Sequence, residues 1–224
     1  MGWIYLSHNL SEATPLYNDS GVIKITSIRS TESGDSCNST ELSFPAHTGT
    51  HIDAPFHFDA NGKTLDQYPA DFWIASHPAL IEIDVKPAKL ITYDDIKVQL
   101  NNLPHSTDLL LIKTGAELWR NDGSDNYTKN GVGIEAHLSN WIRVNLNIKM
   151  IGFDFISLSS PKYREIGRLS HQALLADHES NKEPVLILED LSLENLKKSP
   201  NKVVSLPLLF ESSDGAIATV IAEE

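Results

Sequence analysis

The second half of the chain alternates between short apolar runs and amphipathic segments, and this alternation constrains the fold more than any other sequence feature. Apolar runs of strand length occupy 108–114, 149–155 and 184–189. Between them, apolar residues recur at helical spacing from Ile134 to Leu146, and a second helix is predicted over 166–176. Strands that alternate with helices in this way predict an α/β fold, in which helices flank a mixed β-sheet.

The rest of the chain is predicted to be mainly strands and turns. Strands are predicted over 3–7, 22–28, 79–85, 203–210 and 216–222. Thr92 and Asp95 have the spacing of a capping box, which predicts a helix that begins there and runs to about Asn101. No segment rich in proline, glycine or serine divides the sequence, so residues 1–224 are predicted to form one domain.

Composition and charge exclude several classes of protein. The chain carries 18 basic and 30 acidic residues, and a net charge of −12 disfavours binding to the phosphate backbone of nucleic acids. A single cysteine, Cys37, rules out an internal disulfide framework and a zinc site built from several thiolates. No stretch approaches the roughly 18 apolar residues that a membrane span requires. The N-terminus lacks the pattern of a secretory signal, so we expect a cytoplasmic protein without membrane partners.

Ligand-type side chains are concentrated in a stretch of eleven residues that begins at His47 and contains three of the nine histidines. Gly49 and Pro55 disfavour a helix, so the stretch is predicted to be extended. Side chains alternate across an extended chain, and the even spacing of His47, His51 and Asp53 predicts that all three point to one side. Two imidazoles and a carboxylate suit a divalent metal such as Zn²⁺ or Mn²⁺, with positions open for water or substrate.

The alternative for this cluster is a set of histidines that are satisfied by ordinary hydrogen bonds. We favour the metal site, because burying three such groups on one face without a charge partner is costly. The pattern differs from the helical zinc-protease motif, since Thr48 rather than a glutamate follows His47.

The run from His47 to Phe58, H-T-G-T-H-I-D-A-P-F-H-F, resembles the signature of the cyclase-like metal-dependent hydrolases. This family includes bacterial kynurenine formamidases and isatin hydrolases. Three later segments resemble further family motifs: 151–158 resembles G-x-D-x-x-S-L, 171–175 resembles His-x-x-Leu-Leu, and 186–191 resembles I-L-E-x-L. The resemblance extends over nearly the whole chain. It implies an α/β fold of the swivelling β/β/α type that assembles into homodimers or homotetramers.

The resemblance also implies a role for individual residues. The implied metal ligands are His47, His51, Asp53, His171 and Glu189. These would hold one or two Zn²⁺ or Mn²⁺ ions, with Asp53 and Glu189 as the bridging candidates. His57 is the implied acid/base.

Two departures from the family pattern leave alternatives open. The span between His171 and Glu189 is longer than usual, so Glu179 or Glu183 in the intervening polar loop could replace Glu189 as a ligand. We prefer Glu189, because it ends a strand and would be held rigidly there. The bacterial formamidases typically carry a tryptophan that contacts the substrate where this chain has Tyr17, which weakens the assignment to formylkynurenine.

The resulting prediction is an enzyme that hydrolyses a small aryl amide. N-formylkynurenine is the first candidate substrate, which would place the enzyme in tryptophan catabolism. A cyclic amide such as isatin, or a cyclase or lyase reaction at the same site, is the alternative, and a non-catalytic metal-binding scaffold is the second. Tyr17 and Phe58 are predicted to bind substrate, while Phe56 and Phe72–Trp73 are candidates for either pocket wall or core.

Overall fold

The structure is a computed structural model that describes residues 2–224, and it confirms an α/β fold with a mixed sheet and flanking helices. The strands are β1 (Trp3–Tyr5), β2 (Lys24–Arg29), β3 (Ser39–Ser43), β4 (His51–Asp53), β5 (Ile74–Ala75), β6 (Pro78–Glu82), β7 (Leu90–Ile91), β8 (Leu109–Lys113), β9 (Gly133–Ile134), β10 (Met150–Phe153), β11 (Leu186–Glu189), β12 (Lys202–Pro207) and β13 (Gly215–Glu223). The helices are α1 (Tyr93–Asn101), α2 (Glu117–Asn121), α3 (Asp125–Thr128), α4 (Ala136–Asn145) and α5 (Arg164–Leu175).

One large sheet organises the molecule, with the strand order β5-β12-β13-β4-β11-β10-β8-β6 and β1 added beside β13. Strands β6, β8, β10 and β11 run parallel to their neighbours in this group, whereas β4 pairs antiparallel with both β11 and β13. The edge strands β5 and β6 are separated only by Ser76 and His77. The sheet therefore curls until its two edges nearly meet.

Both faces of this sheet are buried, which explains the continuous apolar runs in its central strands. In β8, Leu110 and Ile112 pack in the core beneath the helices, and Leu109 and Leu111 pack in the core that the curled sheet encloses. All four side chains are fully buried. Successive side chains in a strand point to opposite faces, so one short run of leucine and isoleucine serves two cores.

The three predicted helices, α1, α4 and α5, begin and end close to the predicted residues, whereas the short helices α2 and α3 were not predicted. The Asp95 carboxylate accepts a hydrogen bond from the Thr92 backbone N–H at 2.8 Å, and the capping box that starts α1 is formed as predicted. Helix α4 lies within the predicted 134–146 segment, and α5 covers most of the 166–176 segment. No helix in the described part of the chain has the length and apolar character needed to cross a membrane.

The prediction of a continuous extended segment from His47 onward is wrong. Only His51–Asp53 forms a strand, and Pro55–His57 forms a short 3₁₀ turn. Gly49 has a φ of +59°, in the left-handed region that glycine adopts without strain, so the chain turns sharply before β4. His47 consequently reaches the same site from a loop.

Candidate metal centre and active site

The side chains predicted to bind metal converge on one end of strand β4. His51 and Asp53 lie on β4 itself, and Glu189 ends the adjacent antiparallel strand β11, directly opposite His51 in the pairing register. His171 enters from helix α5, and His47 enters from the loop before β4. The two strands bring together residues that are more than 130 positions apart in the sequence.

Four of these residues form a tight, buried cluster. The Nε2 atom of His51 lies 3.4 Å from Asp53 Oδ1 and 3.3 Å from Glu189 Oε2. The Nε2 atom of His171 lies 3.6 Å from Asp53 Oδ2 and 3.5 Å from Glu189 Oε1. None of the four residues is more than 5% exposed. Two imidazole nitrogens and two carboxylates thus alternate around a common centre.

Backbone carbonyls orient both imidazoles. His51 Nδ1 lies 2.7 Å from the carbonyl oxygen of Gly49, and His171 Nδ1 lies 2.8 Å from that of Gly167. A carbonyl oxygen only accepts hydrogen bonds, so Nδ1 carries the hydrogen in both rings. This arrangement directs Nε2 at the centre of the cluster, as is usual for histidines that bind metals. The Leu158 N–H donates to Glu189 Oε1 at 2.6 Å and holds that carboxylate in place.

The spacing and chemistry of the cluster fit a divalent cation. Charge-assisted hydrogen bonds are typically about 2.7–2.9 Å long, shorter than the separations of 3.3–3.6 Å found here. Two ligand atoms that each lie about 2.1 Å from a shared tetrahedral ion are about 3.4 Å apart. This matches the distances from His51 Nε2 to Asp53 and Glu189, and these three residues of the cluster offer ligand atoms within 4.8 Å of one another. Imidazole nitrogen and carboxylate oxygen are ligands that both Zn²⁺ and Mn²⁺ accept.

The electrostatics of the cluster lead to the same conclusion. Burial acts to lower the pKa of His171, but the carboxylates of Asp53 and Glu189 outweigh it and raise the pKa to about 10. The same two carboxylates raise the pKa of His51 well above its usual value against the effect of burial. Two buried carboxylates thus demand about two positive charges. A divalent cation held by His51, Asp53, His171 and Glu189 would supply them in place of protons on the imidazoles.

A second group of side chains lies beside the cluster and is more open to solvent. His47 Nδ1 lies 2.7 Å from Asp53 Oδ1, and its Nε2 lies 2.9 Å from Asp214 Oδ2. The same Asp214 oxygen accepts a hydrogen bond from His57 Nδ1 at 3.2 Å. The rings of His47 and His57 are 4.0 Å apart. Asp214 therefore holds one nitrogen of His57, which leaves the Nε2 of that ring free of the carboxylate.

Sequence reasoning missed Asp214, because it lies in the 212–215 turn between β12 and β13, where an aspartate is ordinary. Strand β13 pairs with β4 so that Gly215 is opposite Asp53, and this pairing brings the turn to the site. A Cβ atom on Gly215 would lie 2.3 Å from Cε1 of His47. The close approach of the His47 ring to the backbone requires glycine here, and the sequence contains no local signal for it.

Sequence reasoning also missed a group of side chains that stabilises the end of β11 next to Glu189. Asp190 follows it with a φ of +53°, and Arg120 donates two hydrogen bonds to the Asp190 carboxylate, from Nε at 2.8 Å and from Nη2 at 3.1 Å. The hydroxyl of Tyr127 donates to the same carboxylate. Arg120 and Tyr127 belong to α2 and α3, so these short helices fasten the end of β11.

A cavity of about 660 Å³ opens above the cluster, within the size range of small-molecule sites. Tyr17 and Phe58, the predicted substrate-binding residues, both line it. The Tyr17 hydroxyl donates to Ser159 Oγ at 3.4 Å. Phe58 stacks on the imidazole of His171, with ring centroids 4.7 Å apart.

Several other residues that were candidates for the pocket wall or for metal binding lie outside the cavity and the cluster. Trp73 is buried in the core inside the curled sheet, Phe72 packs against that core, and neither lines the cavity. Phe56 is also outside the cavity lining and is 38% exposed. Glu179 and Glu183 are exposed and outside the cluster that Glu189 joins. Cys37 is exposed as well.

Comparison with known proteins relates the chain to a defined family. A model of the family described as putative cyclase matches residues 4–160. The kynurenine formamidase of Geobacillus thermodenitrificans is 31% identical over 215 residues, which cover 96% of this chain and 93% of that protein. Cyclase-like protein 2 of Arabidopsis thaliana is 27% identical over 223 residues, covering 96% and 77% of the two chains.

Solved structures share the fold. Isatin hydrolase A from Ralstonia solanacearum superimposes with a TM-score of 0.75 at 21% identity, covering 100% of this chain and 92% of that one. A predicted metal-dependent hydrolase from Bacillus stearothermophilus gives a TM-score of 0.74 at 22% identity, covering 99% and 97%. Taken with the family match, these likenesses show that the chain belongs to the putative cyclase family, the cyclase-like metal-dependent hydrolases.

Proposed function

We propose that the protein is a metal-dependent hydrolase of a small amide and that its substrate is an aryl formamide such as N-formylkynurenine. The observation that carries the proposal is the juxtaposition of two kinds of group at the floor of one cavity. A buried cluster of imidazoles and carboxylates lies beside His57, which is held by Asp214 and is 31% exposed in its side chain. Relatives described as kynurenine formamidases, one of them 31% identical to this chain, support an amide as the class of substrate.

The proposed metal ligands are His47, His51, Asp53, His171 and Glu189. They would suit one or two ions of Zn²⁺ or Mn²⁺, with Asp53 and Glu189 as the bridging candidates; the Asp53 carboxylate faces three of the imidazoles. When bound, a divalent cation would polarise the amide carbonyl and would lower the pKa of a coordinated water towards about 7.

His57 is proposed to move the proton that hydrolysis requires. Asp214 accepts the Nδ1 hydrogen, so Nε2 is the atom that takes a proton from the attacking water and returns it to the leaving nitrogen. Cleavage of the C–N bond of a formamide in this way yields formate and the free arylamine. Burial lowers the pKa of His57, which favours the neutral ring that can accept a proton near neutral pH.

The proposal is tested by removing the metal with a chelator and assaying a panel of formamides, cyclic amides and lactones before and after addition of Zn²⁺ or Mn²⁺. We expect loss of formamide hydrolysis on chelation and recovery with one of the two ions. Full activity in protein shown by elemental analysis to be metal-free would overturn the proposal.

The same panel separates the alternatives. A cyclic amide is the second candidate, since the isatin hydrolase from Ralstonia solanacearum shares the fold, and preferential ring opening would favour it. Stoichiometric metal without turnover of any substrate would favour a scaffold. Assembly into a homodimer or homotetramer and a cytoplasmic location stay predictions, the first testable by light scattering on the purified protein.

A further inference from the structure

Helix α5 contributes four residues to the cavity lining, Arg164, Glu165, Arg168 and His171, and the Glu165 carboxylate is engaged by Arg168. Arg164, Arg168 and His171 all line the cavity, and their spacing of four and three residues keeps them on the same side of the helix. His171 belongs to the buried cluster at the floor. The two arginines, which are exposed, lie at the mouth.

Only one of the two arginines is free to bind a ligand. Arg168 is engaged by its own helix, since it donates to Glu165 Oε2 at 3.1 Å from Nε and to Gln172 Oε1 at 2.9 Å from Nη1. Among residues 2–224, Arg164 has no carboxylate within ion-pair distance and no side-chain hydrogen bond, although it lines the cavity.

Two other arginines of the chain are engaged by protein groups. Arg120 is paired with Asp190, and the guanidinium of Arg143 donates to backbone carbonyls, including that of Ala176 at 2.6 Å. The chain as a whole carries a net charge of −12 and repels anions. Arg164 therefore places an unpaired guanidinium in the cavity lining of a protein whose net charge is negative.

The charge of Arg164 acts on a side chain that lines the cavity. Burial raises the pKa of Tyr17, a cavity residue, while the Arg164 guanidinium acts to lower it. The lining also includes the apolar and aromatic residues Pro15, Tyr17, Pro45, Phe58 and Ile156. The cavity thus combines basic side chains of α5, an apolar and aromatic wall, and the buried polar cluster.

We propose that Arg164 binds a carboxylate of the substrate, so that the enzyme selects amides whose anionic group is remote from the scissile bond. This inference rests on the proposed amide hydrolysis. Arginine suits the task because its planar guanidinium matches a carboxylate with two parallel hydrogen bonds. Arg164 precedes His171 by seven residues, and a rise of 1.5 Å per residue separates their Cα atoms by about 10 Å along the helix. An aromatic ring with a short carboxylate chain spans this distance.

The test compares two substrates that differ only in charge, 3-(4-formamidophenyl)propanoate and 3-(4-formamidophenyl)propanamide, with release of the arylamine as the readout. For the metal-loaded wild type we expect a higher kcat/KM on the carboxylate. In Arg164→Gln the ratio of the two kcat/KM values should fall by about 10-fold or more, mainly through the KM of the carboxylate, because a charge-assisted hydrogen bond is lost. Arg164→Lys should retain part of the preference.

Lys162→Gln is the matched control, since it removes the same charge from an exposed residue two positions away that is outside the cavity lining. It should leave the ratio unchanged. An unchanged ratio in Arg164→Gln, or an equal fall in both variants, would overturn the inference even if both formamides are hydrolysed. If the ratio of the two kcat/KM values fell in Arg168→Gln instead of in Arg164→Gln, the inference would be overturned as well.

Failure of the proposed function is separable from failure of this inference. If the wild type hydrolyses neither formamide, the amide assignment fails, and the anion site is then tested by calorimetric titration with 3-phenylpropanoate. Binding to the wild type that is weakened about 10-fold in Arg164→Gln, but not in Lys162→Gln, supports the site. Equal binding to all three proteins overturns it.

Discussion

Replacing Arg120 by methionine tests whether the ion pair behind Glu189 holds the site together. The substitution keeps much of the apolar stem of Arg120 but removes both hydrogen bonds to the Asp190 carboxylate. Asp190 then keeps the hydroxyl of Tyr127, and His8 Nε2 lies 4.0 Å from its Oδ1. Because Asp190 follows Glu189 directly, the end of β11 should loosen next to the proposed metal site.

The expected loss of stability follows from the burial of the pair. The side chains of Arg120 and Asp190 are 11% and 2% exposed, so methionine leaves a buried carboxylate whose remaining cationic candidate is the imidazole of His8 at 4.0 Å. Burial lowers the pKa of His8, which disfavours the charged form of that imidazole. Removing one member of a buried pair typically costs about 3–5 kcal/mol. For a domain of 150–250 residues, each kcal/mol lowers Tm by about 2–4 °C, so the decrease should be roughly 6–20 °C.

The assay is urea unfolding and differential scanning calorimetry of the wild type and three variants at the same metal content. Lys129→Met is the control, because its side chain is 47% exposed and its pairs with Asp19 and Asp125 should contribute less than about 1 kcal/mol. Adding Asp190→Asn to Arg120→Met should recover much of the loss, since asparagine tolerates the left-handed backbone and carries no charge.

A decrease in stability no larger than that of Lys129→Met would refute this reasoning. So would a double variant that is less stable than Arg120→Met. The first result would mean that water replaces the guanidinium at little cost, and the second would mean that the carboxylate is not the source of the loss.

Three further predictions concern the site. His57→Ala should keep its metal by elemental analysis and lose turnover by about 10²–10⁴-fold, whereas stoichiometric loss of metal would make His57 a ligand. Glu189→Gln should weaken metal binding or rate by at least about 10-fold, while the exposed Glu183→Gln stays close to wild type in both measurements. Asp214→Asn should lower kcat by about 10–100-fold. Burial lowers the pKa of His57, and the Asp214 carboxylate acts to raise it. Asp214→Asn should therefore shift the acidic limb of the pH profile of kcat/KM to lower pH. An unshifted limb would contradict the role of Asp214.

The elements of secondary structure were predictable because the forces that form them act between near neighbours. The Thr92–Asp95 capping box, the apolar run of β8 and the amphipathic pattern of α4 each depend on a few adjacent residues. The grouping of His47, His51 and Asp53 was predictable for the same reason, although the backbone between them differs from the extended form that was predicted. Gly49 turns the chain there, and a turn of this kind still brings His47 to the same centre.

Local patterns did not join His171 and Glu189 to this group, and only the resemblance to a family suggested them. Their proximity follows from the antiparallel pairing of β11 with β4 and from the packing of α5, which connect residues more than 100 positions apart. Hydrophobic periodicity indicates which side of a strand is buried, but it does not indicate which strands become neighbours.

Asp214, Asp190 and Arg164 became candidates only in the tertiary structure. Their residue types are ordinary where they occur, in a turn, after a strand and at the start of a helix. The strand order β13-β4-β11 brings Asp214 to His57 from one side and Glu189, with Asp190, from the other. The sequence by itself therefore determined most of the longer elements and the grouping of His47, His51 and Asp53, through interactions within short segments. Only the tertiary structure decided which distant charges face one another, because that depends on how the whole sheet closes.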